Sequence, residues 1–369
     1  MVRWIAIEMV VVEMTSGNPS YRVYGRRDFF LSEESSIIYD KPFKTYEELV
    51  NLMIERHIII SDTDFAIHAL QNFSYYDLVN GYKNTFLQVP GTDDFIPGTK
   101  FEELYTLHLL DASLNNVIFK YILFLEKALK SRLSYLVAQK YGVFTDYNDF
   151  SCKNEDEYLY AKHYSNSSKR RINILKKIKE NIANGPRNPS MIHYKNEKNH
   201  IPPWITTTNI PYGLTIEWYN ILFSNDKKEI CDSFISLGIL NEEDTKEYVK
   251  KAFDLTKEYR NKIAHGNRTF SYGNLPALPK SQLLALSFNA VSSEEYDKKI
   301  GQNDSFAVVL ALMTMLNDQY VISNFIRELE DIFVPYHEVK FNNKSVYEVF
   351  SFPDDFIKRI TDLATRKFL

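Results

Sequence analysis

Glycine and proline are scarce, at 12 and 13 among 369 residues. A sandwich or barrel of many short strands needs more turn-formers than that, so the composition favours long helices. Cysteine is scarcer still. Cys152 and Cys231 are the only two, they lie far apart, and they form no C-x-x-C pair. This argues against a disulfide framework or a zinc site and fits a reducing compartment. An excess of positive charge is also missing: the formal net charge is −4. No global field draws in nucleic acid, and any such site must be a local patch. No apolar run is long enough to span a bilayer. The stretch from Trp4 to Val12 is short, carries Glu8 and lacks the regions of a signal peptide. A cytoplasmic protein with no membrane partner is the expectation. P-loop, G-x-S-x-G, H-E-x-x-H and dinucleotide fingerprints are all absent. The histidines at 57, 68, 108, 163, 193 and 200 show no spacing that a metal site needs. Neither a metal nor a cofactor is expected.

What the chain does have is 25 Phe and 25 Tyr within a 44% hydrophobic, 25% charged composition. Those are ordinary values for a soluble globular protein, with an aromatic share in the core. The pattern divides the chain into four parts. Residues 1–40 carry β-branched and aromatic residues around the turn cluster Ser16-Gly17-Asn18-Pro19, which predicts a β-hairpin appendage. Residues 41–98 form a helical subdomain: one helix opens at Thr45, a second at Ser61, and a third covers Ser74 to Tyr82. Residues 99–335 form a helical domain whose strongest signal runs from Phe101 to Tyr141. There Ile118, Ile122, Leu125, Leu129, Leu133 and Leu136 recur at three- and four-residue steps, as one rod or two joined near Ser113. Within it Leu214 to Phe223, Glu242 to His265 and Ser305 to Phe333 also read as helix. Residues 336–369 form a helical tail. The fold class is all-α.

The sharpest chemical feature is Arg260-Asn261-Lys262-Ile263-Ala264-His265, in the last turns of a helix ending at Gly266. Val249, Phe253, Thr256, Arg260 and Ile263 mark an inward line, so Arg260 falls on a mainly apolar stripe. A guanidinium there needs a partner. Asn261 and His265 stand one turn apart and share a face. The helix dipole favours protonated imidazole at His265. Imidazole exchanges protons near neutral pH, and arginine suits charge developing on a phosphoryl group. Together they suit cleavage of RNA through its own 2′-OH, a nucleophile that DNA lacks. The plainer alternative is that Arg260 pairs with a core carboxylate and His265 caps the helix end. A second R-x-H spacing, Arg187 to His193, lies between Pro186 and Pro189 and reads as a loop and a chance match.

Four blocks occur in one order: Ser74-Tyr75-Tyr76-Asp77-Leu78-Val79-Asn80-Gly81-Tyr82, Phe101-Glu102-Glu103-Leu104-Tyr105, Leu125-Glu126-Lys127-Ala128-Leu129-Lys130-Ser131-Arg132, and Arg260-Asn261 with Ala264-His265 and Arg268. This ordered set resembles the Abi-like (AbiD/AbiF) abortive-infection family of bacterial phage-defence proteins, over Lys41 to Phe333. The family is placed in the HEPN superfamily, so the resemblance implies a HEPN-like helical bundle with additional helices. It implies a homodimer that joins two R-x4-6-H motifs, with Arg260 and His265 as the catalytic pair and Asn261 as their polar support. It further implies an endoribonuclease acting in phage defence, with RNA as substrate and a regulatory small RNA as a further partner. The N-terminal hairpin lies outside the family pattern. Gly266-Asn267-Arg268 departs from the His-rich sequence often found after the motif. The alternative is a non-catalytic RNA-binding and dimerisation module of a defence or toxin–antitoxin system.

A basic cluster, Lys169, Arg170, Arg171, Lys176, Lys177 and Lys179, adds RNA-contact candidates to Arg268. The apolar residues Ile172, Ile174, Leu175 and Ile178 between those charges also suit a solvated amphipathic face. Tyr158, Tyr160 and Tyr164 read as core more readily than as base-stacking rings. Tyr75, Tyr76 and Tyr82 are expected under the bundle, Glu126 and Lys130 as a surface ion pair, and Trp204 and Trp218 in the core.

Overall fold

The computed structural model describes residues 10–15, 18–23, 41–165, 170–185, 188–235, 238–264, 266, 268 and 275–369. Two units make up the chain, residues 1–48 and 49–369. In the first, strands β1 (Val10–Thr15) and β2 (Asn18–Val23) pair antiparallel, with Val10 opposite Val23 and Thr15 opposite Asn18. This is the expected hairpin; its connection, residues 16–17, lies outside the described residues. Helix α1 (Tyr46–Glu55) starts on a reciprocal cap, in which the Thr45 N–H donates to Glu48 Oε2 (2.7 Å) and the Glu48 N–H to Thr45 Oγ1 (3.2 Å).

Helix α2 (Thr63–Tyr75) caps on Asp62 rather than on Ser61, because the Asp62 carboxylate accepts the Phe65 N–H at 2.9 Å and also favours the positive end of the helix. The helix kinks at Ser74, whose φ of 61° and ψ of 151° are strained for any residue with a Cβ. A π-helical turn, Tyr76–Asn80, follows. The third helix expected here is therefore a kinked continuation of the second.

Helix α3 (Phe101–Tyr141) runs unbroken through Ser113 for 41 residues, about 60 Å of rod. Leu107, Leu114, Ile118, Ile122, Leu125, Leu129 and Leu133 are all fully buried along it. Gly142, with φ 79°, stops it and donates its N–H to the Ala138 carbonyl at 3.1 Å. After it come α4 (Arg171–Ala183), α5 (Pro189–Glu197), α6 (Pro203–Asn209), α7 (Tyr212–Asn220), α8 (Ser224–Phe234) and α9 (Glu242–Ala264). The segment expected as a loop around His193 is thus helical. Pro189 sits at its first position, where a missing N–H costs nothing, and Asn188 caps it through the Met191 N–H.

The remaining elements are α10 (Lys280–Leu286), α11 (Ser293–Asp297), α12 (Ser305–Met315), α13 (Gln319–Phe333), a short ribbon of β3 (Lys340–Phe341) and β4 (Lys344–Ser345), α14 (Val346–Val349) and α15 (Phe356–Phe368). Ser305 to Phe333 is two helices, since Asp318 caps the second by accepting the Val321 N–H. Every residue of α12 is buried, as expected of a helix apolar on all sides. Helix α3 packs against α6, α7, α8, α9, α12 and α13, while α9 packs against α3, α7, α8, α10 and α12. Helices predominate among the described residues, so the protein is mostly all-α. Trp218 is fully buried as expected, but Trp204 is 45% exposed, on the outer side of the short α6.

Candidate functional site

The inward line of α9 begins as the sequence predicts: Val249, Phe253 and Thr256 have no exposed surface. Thr256 Oγ1 donates to the Ala252 carbonyl (2.8 Å) and meets the Tyr212 hydroxyl of α7 at 3.2 Å, which pins the helix against its neighbour. One turn on, the same line carries Arg260, which is half-buried. Its guanidinium lies 5.9 Å from the ring centre of Phe119 on α3, a cation–π placement. Arg260 Nε is buried without a hydrogen-bond partner among the described residues, and none of their ion pairs includes Arg260. No carboxylate among the described residues pairs with it.

Asn261 is exposed, and its side chain has no partner among the described residues. The helix closes through Gly266, whose φ of 72° suits the left-handed turn and whose N–H donates to the Ile263 carbonyl at 2.8 Å. His265, the expected proton carrier, lies outside the described residues, as do Lys169 and Arg187.

Arg268 returns to the body of the second unit. It lies against Gly81, close enough that a Cβ there would sit 2.0 Å from Arg268 Nη1. Only glycine leaves room for this approach. The guanidinium stands 5.7 Å from the ring centre of Tyr76. Like Arg260 it has a buried nitrogen, Nη1, without a partner, and no ion pair among the described residues. The contrast with its surroundings is sharp. Arg56 and Lys83 in the same region share Asp93, at 2.8 and 2.7 Å.

The wall between the two arginines comes from α3. His108, Asp111, Asn115 and Phe119 follow at three- and four-residue steps, so they share one face. At the Arg268 end, the Tyr82 hydroxyl donates to Asp111 Oδ2 (3.1 Å) and approaches His108 Nδ1 (3.4 Å). Burial, with Asp111 beside it, holds the Tyr82 hydroxyl well above the ordinary phenol range. Burial lowers the His108 pKa; Asp77 pulls it upward and Arg268 pushes it down again. At the Arg260 end stands Phe119. Between them, Asn115 is only 8% exposed and its Oδ1 has no partner. Asp111 to Phe119 spans two turns, about 12 Å. Asp111 and Asn115, four residues apart inside an apolar helix, are a signal that a closer reading of α3 would catch.

Other candidates do not join this arrangement. Arg171 Nη1 donates to the Tyr164 carbonyl (3.0 Å), Lys177 faces Glu217 at 3.9 Å, and Lys179 is fully buried with Glu157 (2.5 Å). Thr145 and the Asp149 carbonyl complete that buried cluster. Lys176 rides on the same helix, α4, and Arg170 is its N-cap residue; the helix packs on α6 and α7. Tyr158 and Tyr164 are core, as expected, and Tyr160 is half-buried. Lys130 and Glu126 form no surface pair. They meet at 2.7 Å with side chains 18% and 11% exposed, and Lys130 also donates to the Ile210 carbonyl. Tyr82 is buried as expected, but Tyr76 is 66% exposed, because the kink at Ser74 turns it outward. Among the described residues, no three His, Cys, Asp or Glu side chains group as a metal site. No helix among the described residues is long and apolar enough to cross a membrane.

A family model described as Abi-like protein matches residues 68–271, from within α2 to just beyond Arg268. That stretch holds the Ser74 kink, the whole of α3 and α9, and Arg260 and Arg268, each with a buried nitrogen that has no partner among the described residues. No curated protein and no solved structure matches the chain. With more than half of its length matched, the chain belongs to the Abi-like protein family.

Proposed function

We propose that the chain is a HEPN-type endoribonuclease of abortive-infection phage defence, cutting RNA without a metal. The observation that carries this reading is Arg260, a guanidinium on an inward line whose buried Nε has no partner, and which has no ion pair, among the described residues. A buried guanidinium nitrogen left without a partner is suited to an anionic ligand, and a phosphate is the ligand arginine fits best. His265, five residues on from Arg260 in sequence, takes the proton from the ribose 2′-OH. The 2′-oxygen forms a bond to phosphorus, the bond to the 5′-oxygen breaks, and that oxygen leaves with a proton. The products are a 2′,3′-cyclic phosphate and a 5′-hydroxyl end. Arg260 holds the phosphoryl oxygens as charge builds on them, and Asn261 orients the imidazole. A second copy of the chain supplies the other half of a composite site.

The test is expression of the wild type, Arg260→Ala and His265→Ala in a bacterial host, with sequencing of RNA ends. Growth arrest and new cyclic-phosphate ends with the wild type only are expected, with a loss of roughly a hundredfold or more in cleavage for either variant. Equal behaviour of all three removes the nuclease reading and leaves an RNA-binding module. A solution mass equal to two chains is the accompanying expectation.

A further inference from the structure

The kink at Ser74 serves no packing purpose for the residue it exposes. Tyr76 follows it with 66% of its surface open, whereas Tyr82 on the same segment is buried and hydrogen-bonded. The strained turn is held in place: Ser74 Oγ donates to Asp77 Oδ2 (3.0 Å) and accepts the Asp77 N–H (3.2 Å). A non-glycine residue at such a φ and ψ costs about 1–3 kcal/mol and persists where the surroundings enforce it, often at ligand sites. The π-helical turn that starts at Tyr76 points the same way.

One face of the Tyr76 ring is covered by the Arg268 guanidinium, 5.7 Å from its centre. The guanidinium is seated by Gly81 and carries no neutralising carboxylate within ion-pair distance among the described residues. The guanidinium can meet an anion beside an exposed aromatic ring. Single-stranded nucleic acid presents this pair of features at every nucleotide: a flat base and a phosphate. A duplex does not, because its bases are already stacked on one another.

We infer that Tyr76 and Arg268 form a nucleotide subsite that takes an unpaired base on the tyrosine ring and the adjoining phosphate on the guanidinium. The subsite selects single-stranded RNA. It rests on the RNA reading of Arg260 but makes a separate claim about binding, on a different segment of the chain. Tyr76 is a specificity-determining residue here and takes no part in the proton transfers.

The experiment measures binding, so that cleavage does not enter. Full-length Arg260→Ala protein is titrated with a fluorescent single-stranded RNA oligonucleotide, the same sequence as a duplex, and the single strand carrying abasic positions. Tyr76→Leu and Tyr76→Phe are then compared in that background. The single strand is expected to bind at least tenfold more tightly than the duplex. Tyr76→Phe keeps that preference, and Tyr76→Leu loses about tenfold in affinity for the single strand, as loss of one base–aromatic stack requires. Abasic RNA loses a similar factor with the tyrosine present and little with leucine. Unchanged thermal melting shows that the variants fold. Equal binding of duplex and single strand, or a Tyr76→Leu protein that binds like its parent, overturns the subsite. Neither result bears on whether the wild type cuts RNA, which the end-sequencing experiment decides separately.

Discussion

Gly81 shows how one missing methyl group can matter. Its backbone is ordinary helix, φ −62° and ψ −42°, so alanine fits the local conformation without strain. Gly to Ala at such a position stabilises by about 0.4–1 kcal/mol through the unfolded chain. The obstacle is the flexible end of Arg268, 2.0 Å from the new Cβ, and that end can swing away cheaply. Gly81→Ala is therefore expected to melt at the same temperature or slightly higher, while RNA affinity falls several-fold because Arg268 leaves its seat on Tyr76. Calorimetry and an RNA titration on the same sample check both halves. A destabilised variant with intact binding would contradict the account. Arg260 differs in kind: its guanidinium rests on Phe119 but has no anion, so its value lies in what it binds.

Among elements, α12 and α15 are joined by an uncommon cap. Lys367 Nζ donates to the carbonyls of Met313 (2.9 Å), Thr314 (2.7 Å) and Leu316 (2.6 Å) at the α12 C-terminus. These are carbonyls that a helix end leaves without intrahelical partners. Burial, with Arg132 nearby, nevertheless pulls the ammonium down to about 7. The sign follows from linkage. A lysine in the unfolded chain titrates near 10.4, so above pH 7 the unfolded state binds the extra proton and stability rises with pH. Below pH 7 both states are protonated and the burial cost is felt in full. Urea unfolding from pH 6 to 9 is expected to show the wild type gaining on Lys367→Met as pH rises. A constant gap between the two would refute it. Helix α4 teaches a related lesson. Its basic run reads as a solvated or RNA-facing strip, yet Lys179 is buried in an ion pair with Glu157, because a long lysine can cross the helix surface to reach a carboxylate on a neighbouring loop.

For the whole molecule, the net charge of −4 and the two guanidinium groups proposed to meet RNA, Arg260 and Arg268, set an expectation for salt. Each phosphate neutralised on a single strand contributes a slope of about −0.7 in log affinity against log salt. Two guanidinium contacts per chain predict a slope near −1.5, on the order of a third of what a fully engaged basic helix would add. Titration of Arg260→Ala, which retains only Arg268, should bring the slope down by roughly half. A steep slope in both proteins would instead assign the α4 basic residues to RNA.

Sequence alone determined the all-α class, the N-terminal hairpin, the helical stretch from Phe101 to Tyr141 and the inward line of α9, because each is a periodicity written along the chain; that the stretch is one unbroken rod was decided by the structure. The ordered blocks were likewise legible, and they lie within the residues 68–271 that match the family. Tertiary structure alone decided which charges are neutralised. Lys179 and Arg56 look no different in sequence from Arg260 and Arg268. Their carboxylates, Glu157 and Asp93, are brought to them by packing, whereas the guanidinium groups of Arg260 and Arg268 lie over aromatic rings with no ion pair among the described residues. Tyr76 follows the same logic: its exposure depends on one kinked residue, and helical spacing carries no mark of a kink. A charge or a ring becomes a binding feature only through what the fold does or does not place beside it, and that is a property of contacts between distant segments.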